Sequence, residues 1–363
     1  MADPLQDLIE QVRAARADRT PLAIRAGSTK DFYGGPIVGH PLDVRGLAGI
    51  SSYEPSELVV TVRAGTPLAE LEAVLAEKGQ CLPFEPPRFA PGGTVGGMVA
   101  AGLAGPARAT VGTVRDYVLG ATMLSGRAEV LSFGGQVMKN VAGYDVARAL
   151  AGSMGCLGVI CEVSLKVLPK PPATLTLRVE LDQAAAIRRV NEWGGQPLPL
   201  NASAWWDGML VVRLSGAEAA VKSAFARLGG ELIAPETATP FWTGLRDHGD
   251  EFFVGAAKAV EAGAALWRLS VPASTPPLKL SGEQLLEWGG AQRWICTSAP
   301  ASLLREVAAA VGGHAVLFRG QDKSAGSFAP LKPAVERIQR GLMRAFDPDA
   351  LFNRGRLLAE DPS

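Results

Sequence analysis

Two short loops carry residue types that could bind an anion. "RAGSTKD", residues 25–31, follows the apolar run 22–24 and precedes Gly34-Gly35. It sets two hydroxyls, Ser28 and Thr29, beside successive backbone N–H groups able to form an anion nest. Arg25 and Lys30 read equally well as solvated. The second loop, "APGGTVGG" at 90–97, holds Gly92, Gly93, Gly96 and Gly97. Each glycine costs about 0.5–1 kcal/mol relative to Ala, so the cluster needs a reason. Either a flat or bulky ligand approaches the backbone, or the chain packs on itself. Neither a GxGxxG fingerprint nor a P-loop occurs in this stretch, so a nicotinamide-type site is not indicated. Two such loops in one region suit a ligand with a diphosphate and a flat ring, the shape of a flavin dinucleotide.

The other polar candidates read as structural. His40, His248 and His314 show no HxH or HxxxH spacing, and no metal site is visible. Asp247, Asp250 and Glu251 read as a solvated helix end. "KNVAGYD", 139–145, reads as a hydrogen-bonded turn; the alternative is that Lys139, Asn140 and Tyr144 approach a ligand or a partner. Trp205, Trp206 and Trp242 are core or an interface patch. Cys81, Cys156, Cys161 and Cys296 form no CxxC pair and read as small hydrophobes in a reducing compartment. No catalytic residue is identified.

The elements that must position the loops are legible in outline. Residues 4–17 read as an amphipathic helix with Asp3 as its cap and Pro4 at its first position. Residues 22–168 read as strands and helices broken by glycine loops. In "TPLAELEAVLAEKG" Thr66 is expected to cap, Pro67 to open and Gly79 to close a helix. "PKPP" at 169–172 marks a boundary. Beyond it, "LTLRVEL" alternates as a strand and "ASAWWDGMLVVRLSG" reads as a hairpin turning at Asp207-Gly208. Helix–Gly-Gly–strand units near 217–233 and 301–318 suggest a duplicated split βαβ layout with helices on one face of a sheet. The alternative is chance similarity of two amphipathic helices.

Composition bounds the rest. The 363 residues carry 36 basic and 36 acidic side chains. That balance argues against a nucleic-acid binder, which needs a basic excess. No apolar run approaches the ~20 residues that span a bilayer, so a membrane would be reached only through partners.

Together, "RAGSTKD", "ELVVTVRAGTPLAELEAVL", "PGGTVGG", "GTVRDYVLG", "VMKNVAGYDVARALAGSMGCLGVICEVSLKVLP" and the terminal "FNRGRL" resemble the FAD-binding PCMH-type family, related to vanillyl-alcohol oxidase. More narrowly, the chain resembles the FAD-binding subunits of bacterial glycolate oxidases, across nearly its whole length. The resemblance implies an α+β protein: a PCMH-type two-part FAD-binding domain (1–172), a smaller ferredoxin-like α+β cap (173–330), and a C-terminal segment (331–363) returning to the first domain.

It also implies a site. The diphosphate would lie on the amides of Ala26, Gly27, Ser28, Thr29, Lys30 and Asp31. Pro91, Gly92, Gly93, Thr94, Gly96 and Gly97 would line the ribityl and ring region, with Gly112, Arg115 and Asp116 nearby. Gly158, Val159 and Ile160 would meet the adenine side, and Arg356 would be a polar contact from the tail. The opening loop lacks the His to which covalently flavinylated relatives attach the cofactor, so FAD is expected to be noncovalent. The tail has Arg354 where the family usually has Pro.

The implied function is that of an FAD-binding subunit of a heteromeric complex with a catalytic flavoprotein subunit and an iron–sulfur subunit. The complex would oxidise glycolate, a small 2-hydroxy acid, to glyoxylate and pass electrons to a non-NAD acceptor. The expected location is the cytoplasm, at the inner face of the membrane through partners. Two other readings stand beside it: a non-catalytic subunit that retains the fold, and a stand-alone FAD dehydrogenase for another 2-hydroxy acid.

Overall fold

The computed structural model describes residues 3–135 and 145–359. They divide into two compact units. Unit 1 holds residues 1–103, 113–169 and 330–363, and unit 2 holds 104–112 and 170–329.

Unit 1 opens with helix α1 (Pro4–Ala17), where Asp3 accepts the Leu5 N–H and Leu8, Val12 and Ala15 are buried. Strands β1 (Leu22–Arg25) and β2 (His40–Asp43) pair in parallel. β3 (Ile50–Glu54) and β4 (Val59–Arg63) lead to α2 (Leu68–Glu77) and the short α3 (Val95–Ala101). Thr66 does not cap α2. Its buried hydroxyl instead exchanges hydrogen bonds with the backbone of Gly49, and Pro67 occupies the cap position. β5 (Val118–Leu124), β6 (Val130–Gly134) and β7 (Val159–Lys166) complete a five-stranded antiparallel sheet of order β3-β4-β7-β5-β6. Its central strand, β7, is almost wholly buried because "VICEVSL" carries apolar side chains toward both faces.

Unit 2 is an eight-stranded antiparallel sheet. The strands are β8 (Ala173–Glu180), β9 (Leu200–Trp206), β10 (Met209–Gly216), β11 (Glu231–Ile233), β12 (Ala265–Ser270), β13 (Glu283–Glu287), β14 (Gln292–Thr297) and β15 (His314–Arg319). Their order is β11-β8-β10-β9-β13-β14-β12-β15. Each half therefore follows the ferredoxin-like order 4-1-3-2, and the halves join through β9 and β13. The first half holds both crossover helices, α4 (Gln183–Gly194) and α5 (Glu218–Leu228). In the second half residues 271–282 form no helix, and only its second crossover is helical. Asp207 and Gly208 both adopt positive φ (46° and 78°) and join β9 to β10, as a two-residue hairpin requires.

Helices cover both faces of this sheet, not one. Between the halves lie α6 (Pro235–Asp247) and α7 (Glu251–Glu261). Leu177 packs in the cluster with Val221 and Ala224 of α5, while the adjacent Thr176 accepts a hydrogen bond from Trp242 of α6. Neighbouring strand residues point to opposite faces. Likewise Ile295 packs against Leu304 of α8 (Ala301–Ala310), while Trp294 meets Phe253 of α7. His248 is buried among Phe253, Trp294 and Phe318, and burial lowers its pKa well below the ordinary range. Asp250 caps α7 and Asp247 pairs with Arg246.

Residues 104–112 belong to unit 2, not to the first unit as the sequence suggested. Trp288 Nε1 donates to the Gly105 carbonyl, the Arg108 guanidinium lies over the Trp288 ring, and Thr110 Oγ1 donates to the Asn201 carbonyl.

The chain then returns to unit 1 through α9 (Pro333–Phe346) and a final turn. That turn docks on β1: Leu22 donates to Leu351, Asn353 donates back to Leu22, and Leu22 bridges Phe352 in parallel.

Candidate functional site

The loop after β1 folds as an anion cradle. Ser28 has φ 56°, the left-handed conformation that turns consecutive N–H groups to one side. Among the described residues, the N–H groups of Gly27, Ser28 and Thr29 donate no backbone hydrogen bond. Arg25 braces the loop from within, donating to Ser28 Oγ (2.8 Å) and to Asp31 Oδ2 (2.6 Å). Lys30 reaches Thr29 Oγ1 at 3.4 Å and lies 5.6 Å from the centre of the Phe89 ring.

The two glycine loops meet. A Cβ on Gly27 would fall 1.7 Å from the Gly92 carbonyl oxygen, so only glycine permits that contact. Gly96 packs on Ala64 and Gly158 on Leu124 in the same way, at 2.7 and 2.6 Å. Gly93 and Gly97 differ. The nearest atoms to a Cβ there are Thr29 Oγ1 and Thr94 Oγ1, each 3.3 Å away. Chain-on-chain packing thus explains three of these glycines. Gly93 and Gly97 are left to open a concave surface.

That surface is a cavity of about 130 Å³. It is lined by Ala26–Asp31, Gly93, Thr94, Gly96, Gly97, Gly158, Ile160 and Arg356 from the sequence expectation. Ile24, Arg25, Ile37, Val44, Ala64, Ala100, Ala101, Met154, Gly155 and Asn353 complete it. Whole cofactor clefts measure roughly 300–1,000 Å³, so the cavity suits one part of a dinucleotide, with the remainder along the open loop surface. Three cations, Arg25, Lys30 and Arg356, face one lining carboxylate, Asp31, among the described residues. This balance and the N–H cradle fit the diphosphate of FAD.

Six expected residues lie outside the lining. Pro91 and Gly92 are on the exposed side of their loop, and Gly92 serves as the packing partner of Gly27. Arg115 donates to the Ala151 carbonyl, and Asp116 closes a capping box with Thr113. Gly112 ends the short helix Arg108–Val111 of unit 2. Val159 points into the hydrophobic core with Leu124. Lys139, Asn140 and Tyr144 lie outside the described residues, while Asp145 caps the helix Val146–Ala149.

Arg356 is only 7% exposed, and its guanidinium is committed to the backbone. Nη1 donates to the Asp31 and Gly35 carbonyls and Nη2 to that of Tyr33, at 3.1, 2.6 and 2.5 Å. Burial pushes its pKa down, with Asp31 opposing. It positions the loop through carbonyls instead of offering a free fork. Asn353 does the same for the other wall, accepting from Ile24 N–H (2.8 Å) and donating to the Met154 carbonyl (2.7 Å). Arg354 ties its own turn, donating to the Ala350 and Asp349 carbonyls.

Comparison with known proteins agrees with this geometry. A family model described as an FAD binding domain matches residues 2–134. The structure is similar to alkyldihydroxyacetonephosphate synthase, with a TM-score of 0.67 at 14% identity over 96% of this chain and 74% of that one. The chain thus has the PCMH-type fold of the vanillyl-alcohol oxidase family, with FAD as its cofactor. In sequence it is 46% identical to glycolate oxidase subunit GlcE of Escherichia coli, over 99% of this chain and 98% of that one. It belongs to the family of that subunit. More partial matches include glycolate oxidase subunit GlcD of Bacillus subtilis, 30% identical over 44% of this chain and 34% of that one. D-lactate dehydrogenase of Anaerostipes hadrus is 28% identical over 48% and 37%.

Proposed function

We propose that the chain is the FAD-binding subunit of a multi-subunit glycolate oxidase that converts glycolate to glyoxylate and delivers electrons to a non-NAD acceptor. The observation that carries this reading is end-to-end similarity to the Escherichia coli subunit, without the large length mismatch of the other relatives. The partners would be a catalytic flavoprotein subunit and an iron–sulfur subunit. No described helix is long and apolar enough to cross a membrane, so membrane contact would run through those partners.

FAD would be held noncovalently. The Gly27–Thr29 amides and the Thr29 hydroxyl would receive the diphosphate, with Lys30 adding charge. Gly93 and Gly97 would admit the cofactor's bulk, and Arg356 and Asn353 would fix the two walls. Bound FAD supplies two-electron redox chemistry, matching the two electrons and two protons that leave a 2-hydroxy acid as it becomes a 2-oxo acid. The lining carboxylate, Asp31, is held by Arg25 at 2.6 Å. It braces the loop.

The test is anaerobic addition of glycolate to the assembled complex, with flavin absorbance followed near 450 nm. Bleaching of all flavin, including this chain's share, is expected. Full absorbance at saturating glycolate would overturn the reading.

A further inference from the structure

A second cavity in unit 1 adjoins the candidate FAD site. It measures about 390 Å³, within the roughly 300–1,000 Å³ of small-molecule sites. The two cavities share a wall built from two chain segments. Along 154–156, Met154 and Gly155 line the first cavity and Cys156 the second. Along 352–356, Asn353 and Arg356 line the first, while Phe352, Arg354 and Gly355 line the second. The Cys156 thiol ties the segments together by donating to the Asn353 carbonyl at 3.4 Å. Helix α9 closes another side of the second cavity through Arg340, Met343 and Arg344.

The lining sorts by chemistry. Met343, Pro348, Phe352 and Leu358 supply apolar surface, and three arginines supply charge. Arg340 is committed: it pairs with Glu336 and donates to the Ala359 carbonyl. The exposed guanidinium of Arg344 has no ion-pair or hydrogen-bond partner among the described residues. Arg354 donates from Nε and Nη2 to the Ala350 and Asp349 carbonyls, which leaves Nη1 open. A guanidinium carries five N–H donors, so both arginines keep capacity for a carboxylate. The lining carboxylate, Asp347, is 4% exposed and turned to backbone. Its Oδ2 accepts from Phe352 N–H at 2.8 Å, and its Oδ1 abuts Gly126. Asp349 pairs with Arg16. Two arginines without a carboxylate partner, against one carboxylate, leave a single positive charge beside apolar surface.

We propose that this cavity is a second ligand site, for a small monocarboxylate with an apolar body, and that its occupancy is coupled to FAD through the shared wall. The carboxylate would meet Arg344 of α9 and Arg354 of the turn, and the apolar body would lie on Met343 and Phe352. Such a ligand holds the turn to the helix. The same turn carries Asn353 and Arg356, which fix the walls of the FAD site. Ordering it in advance spares the cofactor part of that cost, so the two ligands should bind with positive cooperativity. The effect must be reciprocal. The coupling rests on the FAD reading above; the site does not.

The test titrates octanoate into the full chain by calorimetry, below its micellar range, with octanol and acetate as probes of apolar body and charge alone. Octanoate should bind once per chain, at least about tenfold more tightly than either. Arg344→Gln, a change at an exposed side chain, should weaken octanoate about tenfold while melting and octanoate-free FAD affinity stay at wild type. Met343→Trp, which fills the cavity, should also weaken it. Saturating octanoate should tighten FAD about fivefold in wild type, and saturating FAD should tighten octanoate equally. Absence of saturable octanoate binding, octanol binding as tightly, or binding that both substitutions leave unchanged overturns the site. Octanoate that binds as expected without changing FAD affinity overturns the coupling. Octanoate binding to a chain that takes up no FAD supports the site and contradicts the FAD reading instead.

Discussion

Asn353 Oδ1 accepts a 2.8 Å hydrogen bond from the backbone N–H of Ile24, 329 positions earlier in the chain. The same side chain donates to Met154, so one amide joins strand, loop and tail at the wall of the candidate FAD site. Asn353→Ala leaves a donor and an acceptor without partners, which costs about 1–3 kcal/mol. Asn353→Asp keeps the acceptor for Ile24 but sets a carboxylate against the Met154 carbonyl. Thermal melting of the FAD-free chain and FAD titration should both place wild type first. Both variants should bind FAD more weakly.

Glycine substitutions separate packing from ligand space. Gly27→Ala forces a carbon onto the Gly92 carbonyl, and overpacking of this kind costs about 1–3 kcal/mol. Gly97→Ala, inside α3, meets only Thr94 Oγ1 at 3.3 Å. It should leave the FAD-free chain unchanged or up to ~1 kcal/mol more stable. Its FAD affinity should nonetheless fall about tenfold, or ~1.4 kcal/mol. Paired melting and binding curves on the two variants check this.

What could be read in advance followed local chemistry. The "GSTK" loop announced itself by composition, and the α1 cap and the Asp207-Gly208 turn followed from neighbours in sequence. The ferredoxin-like order showed through the two repeated helix–Gly-Gly–strand units. The rest depends on partners far along the chain. Nothing around Asn353 or Met154 signals that they meet at Ile24. The resemblance brought Arg356 to the site, but the three carbonyls that hold its guanidinium lie over 300 positions away and leave no local signal. Gly27, Gly96 and Gly158 look like Gly93 in sequence, and only tertiary packing tells them apart. Of the helices α6 and α7 only the junction at Asp247, Asp250 and Glu251 was legible, as a helix end, and not the sheet face they cover.

Buried Asp347 gives a pH signature. Its Oδ1 has no hydrogen-bond partner, while Oδ2 accepts from Phe352 N–H. Burial raises its pKa despite the backbone donors. The folded state therefore holds the proton to higher pH than the unfolded chain. Stability falls as pH rises from the ordinary aspartate range, about 4, through the raised value, and stays lower above it. Asp347→Asn should gain stability relative to wild type across that window and be level with it below. Urea midpoints from pH 3.5 to 7 measure the difference.

Burial also silences two thiols. It pushes Cys156 up to about 11 and Cys161 up to about 12. The thiolate is the reactive form, and an ordinary thiol has a pKa near 8.5. At pH 8 both should alkylate at least roughly a hundredfold more slowly than an ordinary thiol until the chain unfolds. Mass mapping after timed iodoacetamide treatment reads the order.

The central claim is that the glycine-lined cradle after β1 holds FAD without a covalent bond. The most direct measurement is the absorption spectrum of the purified chain, before and after acid precipitation, with melting repeated in added FAD. The account predicts yellow protein, colour released into the supernatant, and a gain of about 2.7 kcal/mol at a hundredfold excess over Kd. A folded, colourless chain whose melting ignores saturating FAD would contradict it, as would colour that stays with the precipitate.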